Sequence, residues 1–282
     1  GQERMFPDGS VEVHFGSVQD PHALAAAFYD LEAVVHLVAI IRQRKRATFD
    51  QVNRQGVANV VAAARGAGVK HFLHVSAIGA TNNPSYPYLR SKWQGEQEVI
   101  NSGLSYSILR PSLMFGEGDE FLNTLAALTR VFPLVPVIGS GRTRFQPIAV
   151  EDVARCLVLA LGRDDLRGRT IEIGGPQQLS YNDLSGIVAR TLGRRRLYVH
   201  VPVWAISPAV GVLQRVQPRP PVTTEQLRML PVPNVAQPDT VPQVFGFTPQ
   251  PLEGNIDYVR GVSFGDGLKI VAGFMSSRIR DH

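Results

Sequence analysis

The stretch "FDQVNRQGVANVVAAARGAGVKHFLHVSA", residues 49–77, decides the fold. Residues 49–65 read as a helix, and the "GAG" that follows is how a helix is ended by glycine. The run 70–77, "KHFLHVSA", then reads as a short strand. A helix passed straight into a strand is the repeating unit of a parallel sheet with covering helices. Working outward, the same alternation places strands at 11–15 ("VEVHF"), 33–40 ("AVVHLVAI"), 105–111 ("SYSILRP") and 169–175 ("RTIEIGG"), with helices between them. The helix after "VEVHF" shows its start: Asp20 can cap it and Pro21 suits the first helical position. Glu151 and Asp152 in "AVEDVA" suit the first turn of a later helix, where acidic side chains complement the dipole. Because crossovers between parallel strands are right-handed, this order predicts an α/β fold with a doubly wound sheet.

The 282 residues exceed a typical single domain, which predicts one large α/β domain or a domain with a smaller lobe attached. Hydrophobic residues at 44% and charged residues at 19% exclude a disordered or fibrous chain. The net charge of +5 includes small knots at Arg42 to Arg46 and Arg194 to Arg196, a mild bias compatible with an anionic cofactor, an acidic membrane surface or no particular partner. Arg42, Arg44, Lys45 and Arg46 follow the strand carrying "HLVAII" at the cofactor end of the sheet, where they could face a phosphate, but they read first as a solvated basic loop. No basic surface interleaved with aromatics points to a nucleic acid. The single cysteine, Cys156, excludes an intramolecular disulfide framework. The run "AVVHLVAII" is far shorter than the ~20 residues that cross a bilayer.

Proline dominates residues 200–252, and the weak periodicity there predicts a smaller, irregular lobe. The sheet domain is expected over 1–115 and 144–178, and the lobe over 116–143 and 179–282. The tail from 264 reads as a short amphipathic helix or as a docked or frayed terminus.

The chemistry is concentrated in "YPYLRSK", residues 86–92. Tyr88 and Lys92 share a helix face one turn apart. A phenol titrates near ~10, and an adjacent ammonium favours the phenolate, so the pair can serve as proton donor and acceptor. Tyr86 is the rival, but four residues on it meets Arg90, too permanently charged for a proton relay. Ser76 ends the strand "KHFLHVSA" at the carboxyl edge of the sheet, where ligands of open α/β folds sit. His36, His71 and His74 lie on or beside strands without metal-ligand spacing and read as packing residues; no metal site is expected.

A nucleotide-binding sheet of this kind opens with a strand, a glycine-rich turn and a helix N-terminus that holds the pyrophosphate. Residues 1–10 read instead as a linker into a later strand, so the first strand and helix are expected upstream of Gly1. "GEGDEF" at 116–121 lacks the third glycine of a phosphate loop and is read as something else.

The phrases "VSA" and "YLRSK", together with "HLVAIIR", "SILRPSLMFG" and "PIAVEDVARCLVLAL", resemble the extended short-chain dehydrogenase/reductase superfamily, of the NAD-dependent epimerase/dehydratase type. "TTEQLRML" and "FGFTPQPL" narrow the resemblance to the branch with the NAD(P)-binding accessory subunit of respiratory complex I and its bacterial relatives. The resemblance implies a Rossmann-type sheet that binds NAD or NADP, with NADP(H) slightly favoured. Ser76, Tyr88 and Lys92 fall on the catalytic positions, and Lys92 would also hold the nicotinamide ribose. Leu37, Val38 and Ala39 would lie along the adenosine half, Arg110 and Pro111 beside the nicotinamide, and Asn53 at the relay asparagine. The carboxylate that many members place on adenine is missing, since Gly16 is followed by Ser17.

Two functional expectations follow: hydride transfer to a carbonyl or alcohol substrate, or a non-catalytic nucleotide-binding subunit on a membrane respiratory complex. A module sensing the NADPH/NADP ratio is a third. The expected location is cytoplasmic, or peripheral at the inner face of the membrane.

Overall fold

The computed structural model describes residues 11–44, 47–217 and 220–274. In chain order, α1 (Pro21–Ala27) leads to β1 (Ala33–His36), and a segment of wide π pitch (Asp50–Gln55) continues as α2 (Gly56–Gly66). Next come β2 (His71–Val75), α3 (Pro87–Ile100), β3 (Tyr106–Pro111), β4 (Met114–Phe115), α4 (Glu120–Val131), β5 (Leu134–Ile138), β6 (Arg144–Phe145) and β7 (Ile148–Ala149). The rest comprises α5 (Val150–Leu161), β8 (Arg169–Ile173), β9 (Leu179–Ser180), α6 (Tyr181–Thr191), β10 (Leu197–Val201), α7 (Val203–Val216), α8 (Thr224–Met229), α9 (Thr240–Phe245) and α10 (Phe264–Val271).

The central sheet has the order β1-β2-β3-β8, with every pair parallel. Successive side chains alternate between its faces. Val34, Phe72 and Ile108 pack against Val57, Val60 and Val61 of α2 and Val99 of α3. Leu73, Leu109 and Ile171 pack the other way, against Val153, Cys156 and Leu157 of α5. With both faces covered, β2 and β3 can be nearly continuous apolar runs. Cys156 is fully buried in this second layer, where burial pushes its thiol up to about 12. A separate core joins α4, α6 and α10 through Leu122, Leu184, Ile187 and Ile270.

Several expected starts hold. The Asp20 carboxylate accepts from the backbone N–H groups of His22 and Ala23 at 3.0 and 3.2 Å, with Pro21 at the first helical position. Glu151 and Asp152 occupy the first turn of α5.

Other expectations need correction. Residues 11–15 form no strand, because no described strand runs beside them to supply ladder hydrogen bonds. The strand expected over 33–40 stops at His36, where the chain leaves the sheet and the Asn53 side chain takes over the backbone groups of Ile40. The helix expected over 49–65 is wide at its start and regular only from Gly56. Residues 200–252 are more regular than their prolines suggested. Pro202 stands at the N-cap of α7, Thr223 and Gln226 make a capping box on α8, and Pro242 lies in the first turn of α9, where a missing N–H costs little.

The helix expected in the tail is α10, docked so closely on α4 that a Cβ on Gly267 would lie 2.8 Å from Val131 Cγ2. The linker at 1–10, Lys45, Arg46 and residues 275–282 lie outside the described residues. Among the described residues no helix is long and apolar enough to cross a membrane.

Candidate active site

The loop after β2 and the first turn of α3 bring Ser76 and Tyr88 onto one cavity. It has a volume of about 600 Å³ and is lined by Ser76, Tyr88, Pro111, Leu113, Phe121 and Asn234 among others. Ser76 follows the last residue of β2, and its N–H donates to the Leu109 carbonyl at 2.8 Å, so the sheet itself fixes its backbone. Its Oγ is buried and has no hydrogen-bond partner among the described residues. A buried hydroxyl is rarely left so unless something else is to bind it.

Tyr88 is the second residue of α3, after Pro87 at the first helical position. Its ring meets Phe49 edge-on at 5.8 Å. Burial raises the phenol to about 12, the opposite direction from the expected effect of Lys92. Desolvation of the phenolate is the cause. Lys92 donates to the Val75 carbonyl at 2.8 Å, and burial brings its ammonium down to about 8, against a smaller opposing effect of the Glu96 carboxylate. At neutral pH the site therefore holds a protonated tyrosine and a lysine close to losing its charge.

His36 and His74, opposite each other in the β1–β2 register, touch through their Nδ1 atoms at 3.1 Å. Both are buried and neutral: burial first, then the charge of Lys92, brings His36 down to about 4 and His74 well below its ordinary range. His71 is buried too, its Nε2 3.0 Å from Ser107 Oγ.

The remaining expected cofactor residues separate. Pro111 lines the Ser76 cavity. Leu37, Val38 and Ala39 follow the end of β1, all exposed, and Leu37 and Val38 border a different groove along that strand. Arg110 points to the other face of β3, and its guanidinium is taken by Glu96, at 2.8 and 2.6 Å, and by Glu172 at 3.4 Å. The Asn53 amide is engaged as well: Oδ1 accepts from Ile40 N–H at 2.8 Å, and Nδ2 donates to the Ile40 carbonyl at 2.9 Å and to Ser91 Oγ at 3.0 Å. Arg110 and Asn53 thus hold elements in place with their side chains.

"GEGDEF" is a helix start. Asp119 caps α4 through a 2.6 Å bond from Leu122 N–H, and its other oxygen accepts from the Tyr258 hydroxyl, so a carboxylate stands where a phosphate would have to sit. Arg42, expected in a solvated loop, pairs with Glu120 instead.

Sequence reasoning missed Glu96 and Asn234. Glu96 is four residues beyond Lys92 on α3, the spacing that linked Tyr88 to Lys92, and could have been found by extending it. Asn234 gives no such signal. It lies in the proline-rich stretch, and its Oδ1 accepts from Ser112 Oγ at 2.8 Å and from Leu113 N–H at 2.7 Å, which fixes that stretch on the cavity wall.

Residues 2–164 match the family model described as NAD(P)H-binding. The chain belongs to the NAD(P)H-binding family. Among the relatives of this NAD(P)H-binding chain is the Arabidopsis thaliana protein named NADH dehydrogenase (ubiquinone) 1 alpha subcomplex subunit 9, mitochondrial. The two are 28% identical over 65% of this chain and 46% of the relative. The mouse (Mus musculus) protein of the same name is 30% identical over 83% of this chain and 63% of its own length. The chain therefore spans about half to under two thirds of these relatives. In fold it is similar to a nucleoside-diphosphate-sugar epimerase from Staphylococcus aureus, with a TM-score of 0.69 at 18% identity over 89% of this chain and 84% of the other. The NAD(P)H-binding chain thus shares with that epimerase a Rossmann-type sheet.

Proposed function

We propose that the chain reduces a carbonyl compound with NAD(P)H, using Ser76, Tyr88 and Lys92. The observation that carries this reading is the buried, unpartnered Ser76 Oγ, which opens on the same cavity as Tyr88 while Lys92 lies one turn further along α3. Leu37, Val38 and Ala39, at the carboxyl end of β1, are where the adenosine half would pass, and Pro111 and Lys92 lie on the side of the nicotinamide ribose.

When bound, the reduced nicotinamide supplies the hydride and is left oxidised. Ser76 Oγ donates a hydrogen bond to the substrate carbonyl oxygen and orients it. Tyr88, protonated far above neutral pH, gives that oxygen its proton. Lys92 stabilises the phenolate left behind. A phenol held near 12 is protonated at neutral pH, the form in which it can give a proton to the carbonyl oxygen.

Tyr88→Phe should abolish NAD(P)H oxidation across a panel of aldehydes and ketones while dinucleotide affinity, measured by fluorescence titration, persists. Unchanged turnover would remove Tyr88 as the acid.

A second reading is favoured by the names of the Arabidopsis and mouse relatives: an accessory subunit that holds the dinucleotide within a respiratory complex at a membrane. It predicts co-migration with a large membrane complex on native gels of detergent extracts. Recovery of the protein only as a free species would count against it.

A further inference from the structure

The cavity that holds Ser76 and Tyr88 continues into a second one of about 290 Å³ between α4 and α8. Tyr88, Leu113, Phe121 and Met229 line both, and Thr124, Leu128 and Leu230 line the second. These volumes fall in the range of small-molecule sites. The walls are chiefly aliphatic and aromatic, and their charges have the wrong sign for an anion. Glu117, Asp119 and Glu120 stand on the first cavity. Among the described lining residues Arg42 is the one cation, and it is paired with Glu120. A diphosphate needs unpaired cations or a bare helix N-terminus. Here the N-terminus of α4, on this wall, is filled by Asp119.

Resting on the reductase reading, we propose that the substrate is a carbonyl on a long hydrocarbon chain. The carbonyl sits at Ser76 and Tyr88 and the chain runs past Leu113 and Phe121 into the second cavity; a nucleotide sugar does not fit this site. The apolar walls reward each methylene buried; the buried polar atoms left without a partner among the described lining residues are Ser76 Oγ, where the carbonyl sits, and Arg42 Nε at the edge of the second cavity.

The test is calorimetric binding of methyl ketones of about six to about twelve carbons to the full chain, beside UDP-glucose. Each added methylene should tighten binding about fourfold, the equivalent of about 0.8 kcal/mol, until the second cavity is filled. Thr124→Trp, which fills that cavity, should stop the gain at a shorter chain and leave the shortest ketone unaffected. Met229→Lys on the facing wall should weaken the longest ketone most, so the inference does not depend on one variant folding.

A flat dependence on chain length, or UDP-glucose binding more tightly than every ketone, would overturn the proposal. Binding needs no turnover, so the two readings can fail separately. A rising length series without NAD(P)H oxidation sinks the reductase and keeps the hydrocarbon site. Oxidation of NAD(P)H with a short polar ketone and a flat series does the reverse.

Discussion

Glu96 holds Arg110 across the gap between α3 and β3 by two parallel hydrogen bonds, at 2.8 and 2.6 Å, with its carboxylate only 1% exposed. Removing one partner of such a pair strands a buried charge. Arg110→Met should therefore cost about 3–5 kcal/mol of stability in urea unfolding. Dinucleotide affinity should be nearly unchanged under native conditions, and a large loss of affinity in a still-folded variant would return Arg110 to the binding site.

Asn53 pins the turn after β1 to α3, through Ile40 on one side and Ser91 on the other. Asn53→Ala leaves the Ile40 N–H without its partner, at a cost of about 1–3 kcal/mol. The Ile40 amide should lose its protection in hydrogen exchange while β2 and β3 keep theirs.

Gly95 is required by a close approach. A Cβ there would lie 2.5 Å from the Asn53 carbonyl oxygen and 3.2 Å from Val57 Cγ2. Gly95→Ala should push α3 from the π-pitched segment and cost about 1–3 kcal/mol by overpacking, read as a lower midpoint in urea. A midpoint equal to that of the parent chain would show that the two helices can part freely.

Lys92 links stability to pH. Its folded-state value of about 8 lies below the ordinary 10.5, so between these values the unfolded chain binds the extra proton. Stability from this group consequently rises as pH increases from about 8 towards 10.5, and the penalty of burying the charge is fully present below 8. Lys92→Met should flatten that rise; an identical pH profile in the variant would place the ammonium in solvent.

The sheet was legible because β2 and β3 are buried on both faces and their apolar runs announce it, while β8 shows the alternation of an edge strand. "VEVHF" has the same texture but lacks a neighbour among the described strands, and pairing is a property of two segments rather than one. Tyr88, Lys92 and Ser76 could be found from spacing along a helix and position at a strand end. The placement of Arg110 could not, because strand alternation says that it faces away from Pro111 but not that Glu96 waits there. Direction was illegible too: a four-residue spacing told of an ammonium near Tyr88, whereas the burial that raises the phenol comes from the fold around it.

Cys156, the one thiol in the chain, is sealed between α5 and the sheet, with its titration pushed up to about 12. An alkylating reagent needs a thiolate in reach of solvent, so the folded protein should be inert to it. The rate of labelling then counts the openings of the α5 layer, which gives every variant above a clock for its unfolding that requires no introduced probe.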